Sequence, residues 1–252
     1  MPVLGPAALL LSFDIDADAI DEHDRWHTHE HLPERLGIPG FLRGTRWVAT
    51  AGAPRYLVIY EVQSLLTLTS EAYRARLDAP SPWTQRVMPH YRGMVRGLCT
   101  VLGSHGHGLG GSAALVRYAA PEDAAQARAL LRWLLDDVLP PLPARAGLGS
   151  AHLLQGAQVA AMTNEQRIRG ADRGVDAAIV ITGYDGEAVA ARARALCAPD
   201  GLPGRGAQEV TWSTYRTAYT LTSAEMGLSP PGPGATPTGA AAVGADPSAA
   251  PE

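Results

Sequence analysis

The sequence predicts an α+β protein: two tandem ferredoxin-like (βαββαβ) repeats closed into a pseudo-dimeric α/β barrel, followed by a disordered C-terminal tail. Three observations predict it. Strand-like and helix-like segments run in the same order twice along the chain. Residue pairs recur at one offset: adding 107 carries Arg25-Trp26 onto Arg132-Trp133, Leu32-Pro33 onto Leu139-Pro140 and Gly40 onto Gly147. The segment Tyr56-Leu57-Val58-Ile59-Tyr60 is apolar at consecutive positions, so both of its faces need cover; its own helices supply one side and the sheet of the other repeat the second.

The first repeat, residues 7–102, starts with a strand at Leu9–Asp14 and a helix over about Ala19–Leu36. Pro39-Gly40 ends that helix and introduces a strand at Phe41–Thr50. A strand (Tyr56–Val62), a helix (Ser70–Leu77) and a last strand (Arg96–Leu102) complete the unit. Residues 103–111, rich in Gly and His, read as a flexible linker. The second repeat, residues 112–222, follows the same order: Ala114–Tyr118, Ala124–Leu139, Ser150–Val159, Ala177–Gly183, Glu187–Cys197 and Thr211–Thr222. Shifted offsets match Leu57-Val58-Ile59 with Ile179-Val180-Ile181 and Arg96 with Arg216, as loop insertions require. Residues 223–252 turn to Pro, Gly, Ala, Ser and Thr and form the tail.

Composition excludes several chemistries. All 21 basic residues are Arg, so a Schiff-base lysine, a pyridoxal-phosphate anchor and a Walker A lysine are impossible. Three of the 25 acids lie beyond residue 222, which leaves the body close to neutral and gives nucleic acid no electrostatic hold. Two cysteines, Cys99 and Cys197, make neither a disulfide framework nor a zinc site. The apolar run Ala7–Leu11 is too short for a membrane span and lacks a basic flank, so the expected location is the cytoplasm.

Histidine is distributed unevenly. His23, His27, His29, His31 and His90 lie in the first repeat and only His152 in the second. The 107 offset matches His27 with Leu134 and His31 with Val138, members of a core-facing stripe that also includes Leu130 and Leu131. His27 and His31 therefore occupy core-facing positions, side by side at i and i+4. Three readings compete: buried structural imidazoles, acid/base or substrate-binding groups, or two ligands of a metal whose third would be Glu30, Asp14 or His90. The contrast between a histidine-bearing and an aliphatic copy favours one functional and one scaffold half.

Trp26-His27-x-x-x-His31-Leu32-Pro33, after a strand and before Pro39-Gly40-Phe41, resembles the first-helix signature of the EthD-like branch of the dimeric α/β-barrel superfamily. The likeness covers about Leu9–Leu102 and, more weakly, the second repeat. It implies a ligand pocket between sheet and helices of one unit, with His31 in it and His27 one turn before.

Further candidates surround that pair. Arg35, Arg43 and Arg46 could clamp a carboxylate or phenolate. Trp26 adjoins the histidines, Tyr60 could turn a hydroxyl inward, and the proline-framed stretch with Trp83 and His90 has the make-up of a pocket lid. Gly106–Gly111 matches G-x-G-x-x-G, but a strand follows it, so no helix N-terminus receives a phosphate. The expectation is a cofactor-independent lyase, isomerase or cyclase acting on an aromatic or polyketide-like acid. His31 would move the proton and His27 would orient it; no metal is assigned. The alternative is a non-catalytic protein that binds a small ligand, haem or a divalent metal through His27 or His31. A fused pseudo-dimer can work as a monomer or pair into a homodimer.

Overall fold

Strand Tyr56–Val62 is buried along its whole length, as its unbroken apolar run requires. The reason is visible in the computed structural model, which describes residues 3–157, 164–169 and 172–227. Eight antiparallel strands close into one barrel: β1 (Ala7–Ile15), β2 (Phe41–Ala51), β3 (Tyr56–Val62), β4 (Tyr91–Gly106), β5 (Ser112–Ala119), β6 (Leu148–Ala157), β7 (Ala177–Gly183) and β8 (Gln208–Thr222).

Around the barrel the order is β1-β3-β2-β8-β5-β7-β6-β4. Each half thus places its own strands in the same sequence, β4-β1-β3-β2 and β8-β5-β7-β6, and two seams, β2 with β8 and β4 with β6, join the halves. Closure leaves no free sheet edge.

Three apolar layers result. Ala8, Leu10, Trp47, Leu57, Ile59, Leu115, Leu154, Val180 and Tyr215 fill the barrel. The alternate side chains of the first half, among them Leu9, Leu11, Phe13, Val58 and Tyr60, pack beneath its helices. Ala114, Val116, Leu153, Ile179 and Ile181 do the same in the second half. The second face of Tyr56–Val62 is covered by the barrel interior, as the sequence predicts.

The first helical excursion is continuous through α1 (Ile20–Trp26), a wide π-helical turn (His27–His31) and α2 (Leu32–Leu36). Its counterpart has α5 (Ala124–Arg132) and a π-helical turn (Trp133–Val138). The matching i→i−5 bonds run from Leu32 N to His27 O and from Leu139 N to Leu134 O. Each wide turn precedes a proline, Pro33 or Pro140, whose ring would crowd the carbonyl four residues back in a regular helix. Gly40 and Gly147 then turn the chain into β2 and β6 with φ of 90° and 86°, a left-handed conformation that suits glycine. Helices α3 (Glu71–Asp78) and α7 (Gly186–Cys197) complete the expected set, and α4 (Pro82–Val87) forms where the sequence suggested a proline-framed connection and no helix. Ser70, Ser81 and Asp185 cap them by accepting backbone N–H bonds.

Three expectations need correction. Residues 103–106 are not linker: they extend β4 and pair with Leu153, His152, Ala151 and Ser150, after a register shift between Val101 and Gly103. Glycine and serine break the apolar period without breaking the ladder there. Residues 223–227 form a turn held by Ser223 N to Leu42 O, while the remainder of the expected tail, like Val159 at the end of the predicted strand, lies outside the described residues. A short helix, α6 (Asn164–Arg169), stands between β6 and β7 where the sequence suggested none. Among the described residues no helix is long and apolar enough to cross a membrane.

Candidate functional site

The inner face of the first helical excursion carries His23, His27, His31 and Arg35 at successive four-residue steps, and all four are buried. The wide turn keeps them in register along one stripe facing the sheet. Imidazole centroids lie 5.4 Å apart between His23 and His27 and again between His27 and His31. The Trp26 indole covers His31 at 4.3 Å. Around His23 stand Phe13 of β1, Tyr56 of β3 and Tyr91 of β4, with Tyr56 nearest at 4.5 Å.

Burial drives the electrostatics. The His27 ring, 2 % exposed, has its pKa held well below the ordinary imidazole value by desolvation, then by the charges of His23, Arg46 and Arg35. Desolvation also lowers His23, opposed in part by the Asp24 carboxylate, whose Oδ1 lies 3.2 Å from His23 Nδ1. Both rings are therefore neutral near pH 7 and able to accept a proton. His23 Nε2 and His27 Nδ1 are buried with no hydrogen-bond partner among the described residues.

Polar groups frame the stripe at both ends. Tyr56 donates its hydroxyl to Asp24 Oδ1 at 2.9 Å, and burial pushes its pKa up to about 12. Arg46 of β2 reaches the helix, donating to Asp24 O and to Thr28 Oγ1, while its Nε stays buried and unpartnered among the described residues. At the far end Arg35 is held between Glu34, at 3.0 Å, and Glu165 of α6, a residue of the second half. The Tyr60 hydroxyl, also buried, is raised strongly by desolvation and stays protonated.

Of the residues named from sequence, His27, His31, Trp26, Arg35, Arg46 and Tyr60 come together in this layer. Trp83 stands at its edge, half-buried, with its indole donating to Glu22 at 2.6 Å. The stretch around it forms α4, tied down by bonds from Ser81 and Thr84 to Glu30, which also accepts from Trp26.

Two candidates lie elsewhere. Arg43 faces the barrel interior because the register shifts between Phe41 and Arg43; it pairs there with Glu61 at 2.6 Å, near His152. The cavity they line, with Trp47 and Leu109, is about 20 Å³, room for one water. His90 is half-exposed and pairs with Asp16 at 3.3 Å. Arg35 and Arg46, by contrast, are both buried.

His23 is the residue that sequence reasoning passed over. The signal was present: the 107 offset matches it with Leu130, the first residue of the aliphatic stripe. Glu165 had no such signal, since it comes from an unmatched insertion.

Among the described residues the one group of three side chains placed to hold a metal is Asp16, Asp18 and His90, apart from the stripe, and Arg92 already pairs with Asp16. The His27 and His31 rings lie tilted against one another and against the Trp26 indole, so a haem bound at either ring would have to part those contacts.

No protein-family model and no curated protein matches the sequence. Solved structures do match the fold. An anthrone oxidase-like protein shares it with a TM-score of 0.60 at 12% identity, over 88% of this chain and 96% of that one. A Fusobacterium nucleatum protein described as a candidate monooxygenase gives 0.55 at 8%, over 87% and 95%. A chlorite dismutase variant from Candidatus Nitrospira defluvii gives 0.50 at 12%, over 84% and 91%. These likenesses span both halves of the barrel. The fold is that of the dimeric α/β barrels, here closed within a single chain.

Proposed function

We propose that the chain is a small-molecule enzyme of the EthD-like kind, whose first half takes a proton from an aromatic or polyketide-like acid without an organic cofactor. The observation that carries this reading is a pair of adjoining buried imidazoles, His27 and His31, in an aromatic layer whose counterpart in the other half is aliphatic. A neutral imidazole keeps a lone pair available for proton transfer, which a protonated one lacks.

His31 removes the proton from an activated carbon or a phenol. Arg46, through its buried Nε without a partner among the described residues, donates to the oxygen on which negative charge develops, and His27 adjoins His31 and orients it. Arg35 is not the anion clamp, because Glu34 and Glu165 already neutralise it. The enolate or phenolate then takes the proton back at another carbon, expels a leaving group or attacks a carbonyl, which are the isomerase, lyase and cyclase outcomes. Substrate enters past Trp83, which is half-buried at the edge of the layer and tied to Glu22 of α1 by a hydrogen bond from its indole.

Oxygenation is the second reading, favoured by fold neighbours described as an anthrone oxidase-like protein and a candidate monooxygenase. There the same carbanion would be captured by dioxygen. Anthrone-type and β-keto aromatic acids in D₂O, followed by NMR for deuterium uptake at the activated carbon, test both. Exchange should fall by about 10²–10⁴ in His31→Ala. A fall within about twofold overturns the acid/base role, and oxygen uptake by the wild type selects the second reading. Tight binding without exchange would identify a ligand-binding protein instead.

A further inference from the structure

We infer that His23 and Asp24 form the proton exit of this site. The relay carries the proton taken at His31 through His27 and His23 to the carboxylate at the surface. This rests on the acid/base reading above, and it assigns a function to the one stripe histidine that reading does not use.

The geometry argues for it in three ways. First, the three rings are evenly spaced, 5.4 Å between centroids at each step, and His23 Nε2 and His27 Nδ1 are buried with no hydrogen-bond partner among the described residues, which leaves both available to take a proton from a neighbouring ring or pass one on. Second, the series reaches the surface through Asp24: His23 Nδ1 lies 3.2 Å from Asp24 Oδ1, and the Asp24 side chain is 36 % exposed. Phe13, Tyr56, Tyr91 and Trp26 pack around His23 elsewhere. Third, the fold does not need imidazoles here. Leu130, Leu134 and Val138 occupy the matching positions of the other half and are equally buried. Three polar rings in place of three aliphatic ones carry a burial cost that packing does not recover.

Each step conserves charge. A neutral imidazole accepts a proton on one nitrogen and releases the one on the other, so every ring is left in its second tautomer. Asp24 takes the last proton and passes it to water; reprotonation of the product runs the series backwards. The groups facing His23 suit this. The Tyr56 phenol donates to Asp24, and Arg46 with Arg55 adds positive charge that keeps the carboxylate ionised between transfers. Tyr91 faces the ring edge. His27 is faced by His23, His31, Arg46 and Arg35.

The test needs no substrate. Exchange of the His27 ring N–H with water, read by NMR of ¹⁵N-histidine protein, is compared among wild type, His23→Leu and Asp24→Asn. Both variants should slow it by about tenfold or more while backbone amide exchange in α1 stays unchanged. Asp24→Asn preserves shape and serves if His23→Leu folds poorly. Unchanged ring exchange in Asp24→Asn overturns the relay, as does slowing that tracks the backbone amides. A His31→Ala variant without turnover, beside unaltered ring exchange, would keep the acid/base reading and remove the relay alone.

Discussion

The two halves solve one packing problem with opposite chemistry. Beneath the first helical excursion lie His23, His27, His31 and Arg35; beneath the second lie Leu130, Leu134, Val138 and Leu142, at the same spacing and equally buried. Strand order, the i→i−5 turn and the left-handed glycine before the next strand are common to both. What is shared is therefore architecture, and what differs is a candidate for function. The π-helical turn shows the value of the comparison. Such turns often mark functional sites, yet here one sits over an aliphatic core, so it reflects the Leu-Pro sequence and not the histidines. The tryptophans where the two turns begin differ more. Trp26 is fully buried beside His31, whereas Trp133 is half-exposed beneath Arg205, 3.7 Å from its ring centroid.

The largest break in the comparison is expected at the end of the stripe. Arg35 is buried, held charged and paired with Glu165 from the other half, while Leu142 needs no partner. Removing one member of a buried pair strands the other charge, at about 3–5 kcal/mol. Arg35→Leu should lose that much in urea unfolding, Glu165→Leu less because Glu34 still faces the guanidinium, and the double variant should recover most of the Arg35→Leu loss. Additive losses in the double variant would show that the two side chains do not depend on each other.

The next effect is acid sensitivity. Burial, then the charges of Arg43 and His105, push the His152 pKa down to about 4, and burial also lowers His23 and His27. An unfolded imidazole titrates near 6.5, so below that pH the unfolded chain binds protons that the folded chain refuses. Stability is complete above about pH 6.5 and falls as the pH drops toward 4, by about 3 kcal/mol from His152 alone. Glu34 and Glu61, raised by burial, act in the opposite sense at lower pH. Urea midpoints at pH 7.5 and 5 check this, and His152→Gln should flatten the slope. A pH-independent midpoint would mean that water reaches these rings.

The element order and the buried histidines were legible in the sequence because both rest on periodicity. The strands Tyr56–Val62 and Ala177–Gly183 coincide with their predicted limits, and His27 and His31 are buried as the comparison with Leu134 and Val138 required. What could not be read depends on events that periodicity does not encode. A register shift after Phe41 turned Arg43 into the barrel, and another after Val101 let Gly103–Gly106 continue a ladder despite their linker-like composition. Glu165 reaches Arg35 from 130 residues away, on a helix without a counterpart in the first half.

The smallest effect sharpens the comparison most directly, because it copies one half into the other. His27→Leu places at position 27 the residue that Leu134 already is, removing a ring whose Nδ1 is buried without a partner among the described residues. An unsatisfied buried polar atom costs about 1–3 kcal/mol, so the variant should unfold at higher urea by about that amount. Its proton-transfer activity should fall at the same time, since the ring that adjoins and orients His31 is gone. Stability gained and activity lost together is the pattern expected where function, not folding, selects the residue. If His27→Leu is instead destabilised, the imidazole is a satisfied part of the core, and the two halves differ only in how they pack.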